Sequence, residues 1–181
     1  MKPSRLLLAA LIAASSLAAQ ATVIGNRGGD RNAADFIPLS TSDVSGGLLT
    51  DHDVAGLAVT PVGAVGTFLA GEAGDPATIS FGAGAHIVSF LWGSPDSYNT
   101  LVVNEANGES QSFTAAQLRL TRDGYVHFVA TDTLITSMSF ESSSPAFEAA
   151  NFVARPVPEP ASAALLLAGV GLLAFLSRRR G

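Results

Sequence analysis

The sequence predicts an all-β domain, an antiparallel β-sandwich or jelly roll, flanked by an N-terminal signal peptide and a single C-terminal transmembrane helix. Three observations carry this. Apolar runs stand near both ends of the 181-residue chain, each with positive charge on its outer side. Between them, short stretches alternate apolar and polar residues with the period of a strand, at roughly ten-residue spacing. Turn dipeptides such as Asn107-Gly108 separate these stretches, and no strong helical periodicity competes.

At the N-terminus, Lys2 and Arg5 precede an apolar run over 6–17, and Ala19-Gln20-Ala21 has the small-x-small pattern of a cleavage site. Residues 1–21 are therefore expected to be a signal peptide, cut after Ala21, with the secretion translocon and signal peptidase as partners. At the C-terminus stand Pro158-Glu159-Pro160, an uncharged apolar run over 161–176, Ser177 and Arg178-Arg179-Arg180. The prolines fix φ and stop a helix from entering from the N-terminal side. As a helix the run reaches ~24 Å, somewhat short of a ~30 Å hydrocarbon core. With Ser177 and the arginine stems, 161–177 can span a locally thinned bilayer. The arginines belong on the cytoplasmic side. Both ends then place 22–156 outside, enough chain for one domain with its own core.

The overall charge of −5 hides an asymmetry. All 15 acids lie between residues 22 and 159, with five arginines and no lysine, a net −10 for the exported part. Such a domain repels phosphate backbones, so nucleic acid is not an expected partner. There is no cysteine, hence neither disulfide nor thiolate metal site.

Along the domain, 22–53 is rich in Gly, Asn, Asp and Ser and reads as loops with one or two short strands, one of them at 36–39. A weak strand is expected near 67–70. The β signal is clear from Ala77 onward. Strands are expected at 77–81, at 85–92 (near-continuously apolar, hence central), at 100–104 and, across the Asn107-Gly108 hairpin, at 110–113. Residues 115–118 suggest one helical turn. Asp123-Gly124 reads as a second hairpin turn into 125–130. Further strands follow at 135–141, where Thr136, Met138 and Phe140 alternate against Ile135, Ser137, Ser139 and Glu141, and at 147–154.

The stretch richest in chemistry is Trp92-Gly93-Ser94-Pro95-Asp96-Ser97-Tyr98-Asn99. Trp92, Asp96, Tyr98 and Asn99 have the residue types of a sugar site, an aromatic face for a pyranose and polar groups for its hydroxyls. The same spacing suits a hairpin in which Trp92 fills the core and Asp96 closes the turn, and the apolar run before Trp92 favours that reading. Other chemical signals are weaker. Asp51-His52-Asp53 has no second histidine near it, and His86 and His127 fall in expected strands. The acid-rich loops at 29–35 and 42–53 offer oxygen ligands to calcium but lack EF-hand spacing. No catalytic motif appears, and no metal or other cofactor is expected.

The tail over 157–181, with its Pro-Glu-Pro triplet, short apolar span and arginine cluster, resembles the PEP-CTERM sorting signal of Gram-negative exported proteins. That resemblance implies an exosortase as processing partner. It makes Pro158, Glu159, Pro160, Arg178, Arg179 and Arg180 recognition residues of a substrate rather than catalytic residues. The stretch from Trp92 to Asn99, with Asn107-Gly108 and the late segment around Phe147-Glu148, is similar to cyanobacterial-type exosortase-dependent surface proteins. Those carry W-G-S-x-D-x-Y-N and a late F-E-x-D-N. Phe147, Glu148 and Asn151 fit the second pattern, whereas Ala150 replaces its Asp. The expected function is that of a non-enzymatic protein, anchored in the inner membrane before processing and then at the cell surface or in an exopolysaccharide or biofilm matrix. The alternatives are a carbohydrate-binding module and, less favoured, a secreted polysaccharide hydrolase.

Overall fold

The computed structural model describes residues 23–155. The expected signal peptide, the Pro-Glu-Pro triplet, the 161–177 helix and the arginine cluster lie outside the described residues. Among the described residues, no helix is long and apolar enough to cross a membrane.

The described chain is all-β. Its strands are β1 (Val23–Arg27), β2 (Val44–Ser45), β3 (Leu48–Thr50), β4 (Phe68–Gly71), β5 (Ala77–Ala85), β6 (Ile87–Trp92), β7 (Asn99–Glu105), β8 (Ser110–Thr114), β9 (Gly124–Ala130), β10 (Ile135–Ser142) and β11 (Phe147–Arg155). They form two antiparallel sheets. The first has the order β1-β9-β6-β11-β4-β3 and the second β2-β5-β10-β7-β8. The sheets share one core, in a sandwich-like arrangement. Phe140 of the second sheet meets Phe90, Phe147 and Phe152 of the first edge-on, with ring centroids 5.3, 5.0 and 5.7 Å apart. Edge-to-face contact suits the ring quadrupoles and adds to the gain from burial.

Strand periodicity explains much of this. In β7 the residues Asn99, Leu101, Val103 and Glu105 are buried, and the residues between them are half-buried. β6 is central, between β9 and β11, and its inward Val88, Phe90 and Trp92 join the main core. Leu91 points the other way and is also buried, in a second apolar cluster with Phe68, Ala70 and Ala150. The chain between β3 and β4 packs on that outer face through Ala58, Val54 and Ala64. This third layer is why β6 reads as continuously apolar.

Several expectations are corrected. Residues 36–39 are not a strand. Ile37 donates one hydrogen bond to Phe152 O at 2.7 Å, and Pro38 has no N–H to continue a ladder. Asp123-Gly124 is not a hairpin turn, because β8 and β9 lie in different sheets and Gly124 is already in β9, opposite Trp92. In β10 the strict alternation fails. The register shifts between Ile135 and Ser137, so Ile135, Met138 and Phe140 all become buried. The turn after β8 is closed by Leu118 N–H to Thr114 O at 3.3 Å. It ends with Arg119 at φ 55° and with bonds from Arg119 N–H to Ala116 O and Leu120 N–H to Ala115 O, a Schellman-type stop.

The two ends of the described chain lie at one pole. Val23 pairs with Ala130, Ala130 N–H bonds to His86 O, and His86 N–H bonds to Arg155 O. Three strand spacings, ~14 Å, separate Val23 from Arg155. Arg155 is fastened there by Asp30 and by Asp35, 3.5 Å away. The opposite pole holds the end of β6, the start of β9 and the start of β11.

At Gly71 the first sheet leaves no room for a side chain against the second: a Cβ would lie 2.0 Å from the Phe140 carbonyl oxygen. Gly71→Ala should therefore lower the unfolding free energy by about 3 kcal/mol, as measured by urea denaturation. An unchanged transition midpoint would mean that the seam is not packed this way.

Candidate functional site

The residues singled out by the sequence converge at the pole opposite the chain ends. Trp92 closes β6 and is fully buried, stacked on Phe147 at 4.4 Å and on Phe90 at 6.1 Å. With the ring enclosed, it presents no open face to a pyranose. Its indole N–H has no hydrogen-bond partner. Asn99 is also fully buried. Its Nδ2 donates to Ser94 O at 2.8 Å and Ala146 O at 3.2 Å, and its Oδ1 accepts from Ser142 at 2.8 Å. Of the four candidate ligand-binding residues, Asp96 and Tyr98 reach solvent. The Tyr98 hydroxyl donates to Asp96 Oδ2 at 2.8 Å, and this bond, with burial and the Asp96 charge, holds the phenol above its usual pKa.

The turn after Trp92 is set by backbone requirements. Gly93 donates to Glu148 O at 2.8 Å, and a Cβ on it would meet Pro61 Cγ at 2.6 Å. Glycine therefore allows a close approach there, while the positive φ, 46°, falls on Ser94. Ser94 N–H is accepted by Asp123 Oδ1 at 3.0 Å.

The main role of this cluster concerns the chain between Val54 and Gly66. That chain forms no strand, and four of its N–H groups are taken up by side chains. Val59 N–H goes to Glu148 Oε1 at 3.0 Å, Thr60 N–H to Asp53 Oδ1 at 2.8 Å, Val62 N–H to Asp123 Oδ2 at 2.7 Å and Val65 N–H to Asn151 Oδ1 at 2.8 Å. Asn151 Nδ2 adds bonds to Gly63 O at 2.8 Å and to the Tyr125 hydroxyl at 2.7 Å. Asn151 has φ 55° and sits where the β11–β6 register shifts. Asparagine tolerates that conformation better than most side chains do. Phe147, Glu148 and Asn151 thus act as one device: the ring packs against Trp92 while the two polar side chains hold the loop. Asp123 shares that work, and sequence reading missed it because its partners lie 29 and 61 residues away.

Glu148 is buried, and its Oε2 has no partner. Desolvation raises its pKa first of all, aided by the Asp123 charge and opposed by Val59 N–H and the Ser94 hydroxyl.

The weaker signals resolve simply. Asp51 and His52 form an exposed pair at 2.7 Å, and Asp53 turns to Thr60. His86 and His127 lie 3.2 Å from the carbonyls of Ala130 and Gly28. In the 29–35 loop, the Asp30 and Asp35 carboxylates face Arg155. Among the described residues, no three His, Asp or Glu side chains converge on a point that could hold a metal ion.

Beyond Arg155 the chain enters its C-terminal tail. Residues 156–180 match the family model of the PEP-CTERM protein-sorting motif. The match begins immediately after the last residue of β11. A PEP-CTERM motif directs exosortase-dependent sorting of an extracellular protein, so exosortase is the processing partner that the tail indicates. No curated protein matches the chain.

Two predictions follow from the clamp. Asn151→Ala removes three hydrogen bonds and leaves a non-glycine residue in the left-handed region, and should cost about 3 kcal/mol; Asn151→Gly should recover about 1 kcal/mol of that. Chemical denaturation of both variants checks this. For Glu148 the folded pKa lies above the ordinary 4.5, so the folded state holds its proton more tightly and stability falls as pH rises through that window. Glu148→Gln should therefore gain on wild type as pH rises above 4.5. A pH-independent difference would place the carboxyl in water.

Proposed function

We propose that this chain is a non-enzymatic surface protein, exported through a signal peptide over 1–21. It is held at the inner membrane by a helix over 161–177 and sorted by an exosortase that recognises Pro158, Glu159, Pro160 and the terminal arginines. The β domain then serves as a structural or adhesive unit of an exopolysaccharide or biofilm matrix. The observation that carries this reading is the sorting-motif match over 156–180, joined directly to the folded domain.

Two features of the domain support it. Of the polar side chains that most resembled a site, Asn99 holds backbone and Tyr98 is bonded to Asp96, which suits a structural unit better than a reaction centre. The tail continues from β11, which pairs with β6 as far as Arg155 and with β4 at its start, over Phe147–Ala149. A pull on the tail therefore loads the β11–β6 pairing first. Arg155, paired with Asp30 and Asp35, secures the exit point.

The test is made in the native host. Replacing Pro158-Glu159-Pro160 by three alanines should leave the protein unprocessed and membrane-retained, as read by intact mass and by surface labelling of whole cells. Unchanged processing and display in that variant would overturn the sorting reading.

A further inference from the structure

Five arginines serve the entire acidic domain, and three of them, Arg27, Arg31 and Arg122, line one pocket of about 520 Å³. The register brings them there. Arg27 ends β1 opposite Val126, Gly28 N–H bonds to Tyr125 O at 2.7 Å, and Arg122 stands two residues before β9. Arg31 lies over the Tyr125 ring at 5.1 Å, a cation–π contact that orients its guanidinium. The Tyr125 hydroxyl is in turn fixed by Asn151. Among the described residues, the arginine ion pairs are those of Arg155, so none of the three pocket arginines has a carboxylate partner. The pocket's own carboxylate, Asp123, accepts backbone N–H groups from Val62 and Ser94. Val62, 82% exposed, supplies an apolar wall.

Three guanidinium groups without carboxylate partners, beside an aromatic ring and an aliphatic wall, make a receptor for anionic oxygen groups on a partly apolar body. The rest of the domain is acidic and repels densely charged polymers such as nucleic acids. The ligand that fits both facts carries separated single charges. We infer that this pocket binds a uronate-bearing polysaccharide, with carboxylates on the arginines and ring faces against Val62. This rests on the matrix role proposed above and names its partner chemistry. The pocket lies on the outer face of the first sheet, beside the loop whose Asp30 holds Arg155.

The experiment uses the purified full-length chain in detergent and an oligogalacturonate as probe, with binding read by calorimetry at low and moderate salt. Binding should weaken with salt, and Arg31→Ala/Arg122→Ala should lower affinity by about tenfold or more. Arg119→Asn lies outside the pocket, suits the positive φ there and also removes a positive charge. It should bind as wild type does, and thermal melts confirm that each variant is folded. Failure to bind the oligogalacturonate overturns the proposal. So does equal binding by the double variant, an equal loss in Arg119→Asn, or binding of sulfated or phosphorylated polymers in place of the uronate. None of these outcomes bears on tail processing, which the alanine triplet tests separately.

Discussion

The constraint on which the structure depends is the backbone of the chain between β3 and β4, which joins neither sheet. Apolar side chains from this stretch are needed to cover Phe68, Leu91 and Ala150 on the outer face of the first sheet. The same stretch forms no ladder, and backbone N–H groups turned toward a protein surface need acceptors. Glu148, Asn151 and Asp123 supply them from β11 and from the approach to β9. Burying Glu148 raises the free energy of its charged form, and Asn151 occupies a left-handed conformation. Both costs are offset by a third layer that encloses β6 on its second face.

Much of this was legible in the sequence, and the remainder failed for identifiable reasons. Short strand-like stretches between turn residues located β5, β7, β9 and β11, although β11 is buried along most of its length, and the near-continuous apolar run marked β6 as central. The Asn107-Gly108 hairpin appeared between β7 and β8 as its turn chemistry requires. Local pattern could not reveal that β10 contains a register shift, or that the strand after Asp123-Gly124 leaves for the other sheet. Both depend on partners distant in the chain. The residues Trp92, Gly93, Phe147, Glu148 and Asn151 were visible as a group, but their task was not. An Asp at Ala150, as in the related pattern, would sit fully buried in the apolar cluster beneath the loop.

The polarity of the domain links fold to function. The chain enters and leaves the described structure at one end of the first sheet, and the clamp occupies the other. The clamped loop therefore stands at the end of the sheet remote from Arg155. Leu57, Val59, Val62 and Val65 of that loop are exposed while their segment remains anchored through its backbone. Side chains there are free to vary for contact as long as the acceptors beneath them stay in place.

Hydrogen–deuterium exchange of the full-length chain at the Val59, Val62 and Val65 amides tests the clamp most directly. All three are predicted to exchange at least ~100-fold more slowly than in an unstructured peptide, although they lie outside every strand. Exchange at the unstructured rate would mean that Glu148, Asp123 and Asn151 do not hold this loop, and the role assigned to the late Phe147-Glu148 segment would fall with it.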